Sequence, residues 1–258
     1  ITNSTISSNT CAKEGGGIYA YGGSIVIDST NIINNNTNIA DSPDQPHGGG
    51  IHSNMTDINI SNSNISLNES LRGGGLDINS NVSTPNSITI NSTLISNNIA
   101  NDNYGGGGIA FNTVTANLNH ITVTGDSLVY YDGSDDNGVG LQFVNRCFVN
   151  IENSIINDGM YNGNPEQGGS ITISYSLVDN NWEGVGNINS DPLFCNADSS
   201  DFTLYDNSPC VGSGQNGTNM GAYGVGCYSN LSDPPDTLWT KTFGGSDTDH
   251  GRSIQNTA

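Results

Sequence analysis

The sequence predicts an all-β chain folded as a right-handed parallel β-helix of three-strand coils, about seven of them, with a C-terminal cap and a truncated tail. Three observations lead there. Apolar residues recur at fixed offsets with a polar residue behind them, and glycine runs recur between the copies. The segments so marked alternate or are β-branched, and helix-forming runs are almost missing, which excludes a helical solenoid.

Each copy holds two alternating apolar residues, a third apolar residue seven positions after the first, and a polar residue three further on. Ile25, Ile27, Ile32 and Asn35 form one copy; Ile58, Ile60, Ile65 and Asn68 a second; Ile88, Ile90, Ile95 and Asn98 a third. Val114, Ala116, Ile121 and Thr124 follow more loosely, then Val149, Ile151, Ile155 and Asp158 with one residue dropped, and Ile171, Ile173, Val178 and Asn181. Ile6 and Asn9 supply a partial opening copy. Coils stacked at about 4.8 Å would turn each apolar position into an internal ladder. Asn9, Asn35, Asn68, Asn98 and Asn181 would meet at one bend as an amide ladder, since asparagine accepts turn conformations and its side chains pair from coil to coil.

The glycine runs lead into short apolar strands at Gly15 to Ile18, Gly48 to Ile51, Gly73 to Leu76 and Gly106 to Ile109, with a degenerate copy at Gly138, Gly140 and Leu141. They are read as tight corners needing positive φ or close backbone approach. No lysine or helix follows them, so they are not phosphate-binding loops. On these motifs residues 1–181 resemble the pectin-lyase-like right-handed β-helices, and in particular the short repeats of bacterial polymorphic outer-membrane proteins. The resemblance implies a fold and leaves activity open. Polygalacturonases and pectate lyases of this fold type use aspartate sets, or basic residues beside acidic calcium ligands; of these only the adjacent Asp135 and Asp136 have a counterpart here.

The period stops after Asn181; the β-helix is assigned to residues 1–186, and residues 187–227 are expected to close the solenoid, with Leu193, Phe194, Phe202 and Leu204 covering the last coil. Of five cysteines, Cys195, Cys210 and Cys227 fall in this segment, and Cys210 with Cys227 is the first choice for a disulfide; Cys11 and Cys147 look like isolated thiols. Residues 228–237, with two adjacent prolines, read as a stiff linker, and residues 238–258 resemble the truncated start of a repeat from a following β-propeller-like domain. The opening at Ile1 inside a repeat suggests a piece of a longer bacterial protein.

A net charge of −20 with five unclustered basic residues excludes nucleic acid as a partner. The same field would repel an anionic polysaccharide unless divalent cations bridged the two. No run is apolar enough to cross a membrane, and a disulfide would suit a secreted or cell-surface setting. The segments after the polar bend vary most in length, so they should emerge along one edge, where function is expected. The richest carries Tyr130, Tyr131, Asp132, Asp135 and Asp136, able to stack on a sugar, accept hydroxyl hydrogen bonds or hold calcium. No other cofactor is expected. His47, His52 and His120 are assigned to three different coils and not to a metal site, and Cys147 lacks a base partner. The functional expectation is a non-catalytic, adhesin-like β-helical segment displaying loops outside the cell, with a polysaccharide or surface glycan as its partner. The alternative is a polysaccharide-active enzyme or carbohydrate-binding module.

Overall fold

The computed structural model describes residues 1–37, 46–81, 85–101, 105–129, 139–162, 168–179 and 182–229. They form a parallel β-solenoid followed by a small cap. Each winding runs through a glycine-led strand, a middle strand and an anchor strand. The anchor strands make a seven-stranded sheet and the other two classes make six-stranded sheets. Three windings add a two-residue strand after the anchor, at Glu69–Ser70, Ile99–Ala100 and Ser127–Leu128, so the three-strand coil gains a short fourth side there.

Residues of equal position pair in register. Ile6, Ile32, Ile65, Ile95, Val123, Ile156 and Val178 form the anchor ladder. Ile27, Ile60, Ile90, Leu118, Ile151 and Ile173 form the corresponding row of the middle sheet. Ile32, Ile65 and Ile95 are all fully buried in one core, as the repeat requires. The count of seven coils needs correction: about four windings are complete, those opening at Ile51, Leu76, Ile109 and Leu141, because only they pair above and below in all three sheets. The outer windings are partial or paired on one side.

Two anchor assignments also shift. Val123, not Ile121, pairs with Ile95, and Ile156, not Ile155, pairs with Val123. In the fourth copy the reading slips by two residues, with Ala116, Leu118 and Val123 in the places given to Val114, Ala116 and Ile121, the last of which stands seven after Val114; in the fifth, Ile155 is only six after Val149 and Ile156 keeps the full seven. The polar position of the fourth copy is therefore Asp126 and not Thr124, while Asn181 lies outside the described residues.

The corner explains why glycine and asparagine recur together. Asn35, Asn68 and Asn98 are completely buried. The Asn35 Nδ2 donates to Asn68 Oδ1 at 3.0 Å and to the Ile6 carbonyl at 3.0 Å, and the Asn68 Nδ2 repeats the pattern toward Asn98 Oδ1 and the Ile32 carbonyl. Each Oδ1 also accepts the backbone N–H of the preceding rung, so every polar atom of the ladder is used. The third glycine of each run faces this amide: a Cβ on Gly50 would lie 2.6 Å from the Gly75 carbonyl oxygen and 3.0 Å from the Asn68 amide nitrogen. The first glycine holds positive φ, 65° at Gly48.

The cap departs from its expected place. Its strands Phe194–Asn196, Asp201–Tyr205 and Val225–Cys227 form a separate sheet, and Leu204, Cys210 and Met220 pack on Ile155 and Leu177. Those two side chains occupy outward positions of the anchor sheet, so the cap covers the flank of the late windings. Trp182 packs on the main core instead, next to the last winding. The doublets Ile155-Ile156 and Leu177-Val178 account for this, because alternate residues of one strand point to opposite faces and both faces must be covered.

The disulfide joins Cys195 to Cys227 and not Cys210 to Cys227. Asp201–Tyr205 lies between the two outer strands, which brings Cys195 and Cys227 to a Cα separation of 6.0 Å. Cys210 is fully buried in the cap core, and burial pushes its thiol up to about 11. Cys147 is buried and free, and Cys11 is half-buried and free. Closing a loop of 32 residues should stabilise the cap by about 2–4 kcal/mol. Replacing both partners by serine should therefore lower protection of the Leu204 and Cys210 amides in hydrogen exchange, with the amides of Ile60 and Ile90 unchanged.

Candidate functional site

The outer face of the glycine-led sheet gathers most of the unusual chemistry. Its strands Ile18–Tyr21, Ile51–Asn54, Leu76–Asn79, Ile109–Asn112, Leu141–Val144 and Met160–Asn162 point Ile18, Ile51, Leu76, Ile109 and Leu141 into the core. The next residue of each strand points out, so Tyr19, His52, Asp77, Ala110, Gln142 and Tyr161 stand in one row.

Asp77 is the centre of that row and is completely buried although it faces outward. Its Oδ1 accepts from Arg72 Nε at 3.2 Å, and its Oδ2 accepts from Arg72 Nη2 at 3.1 Å and Asn79 Nδ2 at 2.9 Å. His52 Nδ1 lies 3.1 Å from the same Oδ2 and donates to it, since a carboxylate oxygen can only accept. His47 Nδ1 approaches Oδ2 to 3.2 Å but out of line for a hydrogen bond, and is otherwise without a partner. Burial alone would raise the Asp77 pKa. The Arg72 guanidinium and the two histidines outweigh it and hold the carboxyl well below the usual carboxylate range.

Aromatic rings extend the cluster to the surface. Tyr19 stacks on His52 with centroids 5.5 Å apart, and His47 stacks on the same ring at 5.6 Å. The Tyr19 hydroxyl pairs with Glu14. Tyr19 is 49% exposed and Tyr21, two residues on and on the same face, 64% exposed. Beside them runs a second amide ladder, in which Asn145 donates to Asn112 at 2.6 Å, Asn112 to Asn79 at 3.1 Å, and Arg72 also to Asn79 at 3.0 Å.

The cluster sits where the variable segments return to the solenoid. Asn36, Glu69, Ile99 and Ser127 are stacked where these segments leave, and Glu14, His47 and Arg72 where they rejoin. Tyr130, Tyr131, Asp132, Asp135 and Asp136 lie outside the described residues. His47 and His52 prove to belong to one winding rather than two, and the structure brings them together on Asp77; His120 is elsewhere, at a middle-strand end. Among the described residues no group of three or more metal-ligating acids, histidines or cysteines is arranged to hold an ion.

Sequence reasoning missed this site, yet a signal was present. His47 and Arg72 each stand directly before a glycine triplet, and His52 and Asp77 each stand directly after the first apolar residue behind it. Aligning the two glycine runs would have stacked His52 on Asp77 and His47 on Arg72. Comparison of the chain with known proteins returns no matching family model, no curated protein and no solved structure. The geometry itself identifies the chain as a parallel β-solenoid with a buried Asp-Arg-His cluster at the root of its loop edge.

Proposed function

We propose that the chain is a non-catalytic, adhesin-like segment of an extracellular protein, of the pectin-lyase-like type, which presents its loop edge to a surface glycan. The observation that carries this reading is the state of Asp77. Its carboxylate is fully buried and its oxygens are engaged by Arg72, His52 and Asn79, so it orders the row of side chains and is not a free base. What that row offers outward is a pair of exposed tyrosines beside fixed amides, the combination suited to a sugar face and its hydroxyls. The disulfide supports an oxidising compartment. Among the described residues no helix is long and apolar enough to cross a membrane.

The test is binding of the full chain to a glycan array, repeated with Tyr19→Ala/Tyr21→Ala. Affinity for the glycans retained by the wild type should fall at least about tenfold, as expected when stacking worth about 1.4 kcal/mol is lost. Polysaccharide cleavage by the wild type that Asp77→Asn abolishes would overturn the non-catalytic reading.

A further inference from the structure

We infer that Asp126 closes the buried amide ladder as the neutral acid, which makes this corner a proton-binding site whose occupancy sets the stability of the windings beneath the cap. Three rungs define the slot. The Nδ2 groups of Asn35, Asn68 and Asn98 donate to the carbonyls of Ile6, Ile32 and Ile65 at 3.0, 2.9 and 3.0 Å. Asp126 takes the next rung. Its Oδ1 does what the asparagine oxygens do, accepting from Asn98 N at 2.7 Å and Asn98 Nδ2 at 2.9 Å. Its Oδ2 therefore stands where each earlier rung has an N–H donor, and the repeat places the Ile95 carbonyl as the acceptor there.

Asp126 is 7% exposed, and Oδ2 is buried without a hydrogen-bond partner. A Cβ on Gly108 would lie 2.7 Å from it, as one on Gly75 would lie 3.0 Å from Asn98 Nδ2, so the acid sits in the amide's own niche. An ionised Oδ2 would face acceptors only. A proton on Oδ2 restores the missing donor.

Apart from the two Asn98 donors on Oδ1, the neighbours give an anion no positive charge. Asp158 of the next winding accepts from Gly125 N at 2.9 Å and Asp126 N at 2.7 Å, which suits a carboxylate, and Asp179 of the winding beyond faces Asp158. Asn98 on the preceding winding is neutral, and Gly108 and Gly140 present backbone only. Ionising both of two adjacent carboxylates, Asp126 buried and Asp158 half-buried, is costly without a counter-ion. Burial first, and then the Asp158 charge, push Asp126 well above the usual carboxylate range; burial raises Asp158 as well.

The sign follows from linkage. A folded-state pKa above the unfolded value means that the folded chain holds a proton the unfolded chain releases. The stabilisation is complete below the unfolded value of about 3.9 and is lost as pH rises toward and through the folded value. The experiment is urea unfolding of the full chain across pH 4 to 8, with the Asp126→Asn variant as reference, because an amide supplies the same donor at every pH. The folding constant of the wild type should fall relative to the variant by up to about tenfold per pH unit, then level off, leaving the variant more stable at pH 8. The common effect of net charge cancels in that ratio. Parallel profiles, a variant weaker at pH 8, or a variant that fails to fold would each overturn the inference. Carbon-13 titration of aspartate carboxyls in the wild type provides a check without substitution: one signal should stay in the acid form where the exposed aspartates have already ionised, and ionisation of all of them together would overturn it.

Discussion

Asn68→Leu should cost about 3–9 kcal/mol, enough to remove most of the stability of a domain worth about 5–15 kcal/mol. Leucine matches the size of asparagine and removes every side-chain hydrogen bond. The Asn35 backbone N–H and the Asn35 Nδ2 lose their shared acceptor, and the Ile32 carbonyl loses its donor. Each of these three buried groups would then lose a hydrogen bond, at about 1–3 kcal/mol apiece, although Asn35 Nδ2 keeps its bond to the Ile6 carbonyl. Urea unfolding followed by circular dichroism measures the loss. Asn62→Leu, at a positive-φ and exposed position, provides the contrast: its strain is local and its effect should stay within about 1–2 kcal/mol. Equal effects at the two positions would mean that the ladder is not the main polar support of the corner.

Asp77→Ala should cost about 3–5 kcal/mol, the range for removing one partner of a buried ion pair. Arg72 keeps some access to water, so the lower half of that range is expected. Asp77→Asn retains the volume and part of the hydrogen bonding but removes the charge that balances Arg72, and should be intermediate. The pH dependence at Asp77 runs opposite to that at Asp126. Its folded pKa is depressed, so its stabilisation is present above the unfolded value of about 3.9 and is lost as pH falls below it, toward the folded value. Acid unfolding of the wild type should steepen below about pH 4, and the Asp77→Ala variant should lack that part of the transition. The same variant frees His52, so the stack with Tyr19 should loosen, and the glycan binding we propose should weaken with it.

The windings thus carry two kinds of polar interior with different logic. The amide corner is neutral and self-complementary, which lets it repeat without limit along the rod. The Asp77 cluster is charged and singular, and it is placed at the edge where variable segments rejoin the solenoid. A repeat protein gains stability from the first kind and individuality from the second.

The sequence by itself determined the parallel stack, the inward isoleucines and the asparagine corner, because these follow from spacing: residues of equal position in successive repeats must meet once the windings pile up. Asp126 shows where that reading slips. Ile121, seven after Val114, imitated the anchor spacing, and only pairing of Val123 with Ile95 set the correct register. Tertiary structure alone decided that Cys195 joins Cys227, that the cap lies along a flank, and that His47, His52 and Arg72 converge on Asp77. Periodicity tells which residues stack. It does not tell how a segment without a period folds back, nor how far a side chain reaches between windings, because those depend on distances that no repeat encodes.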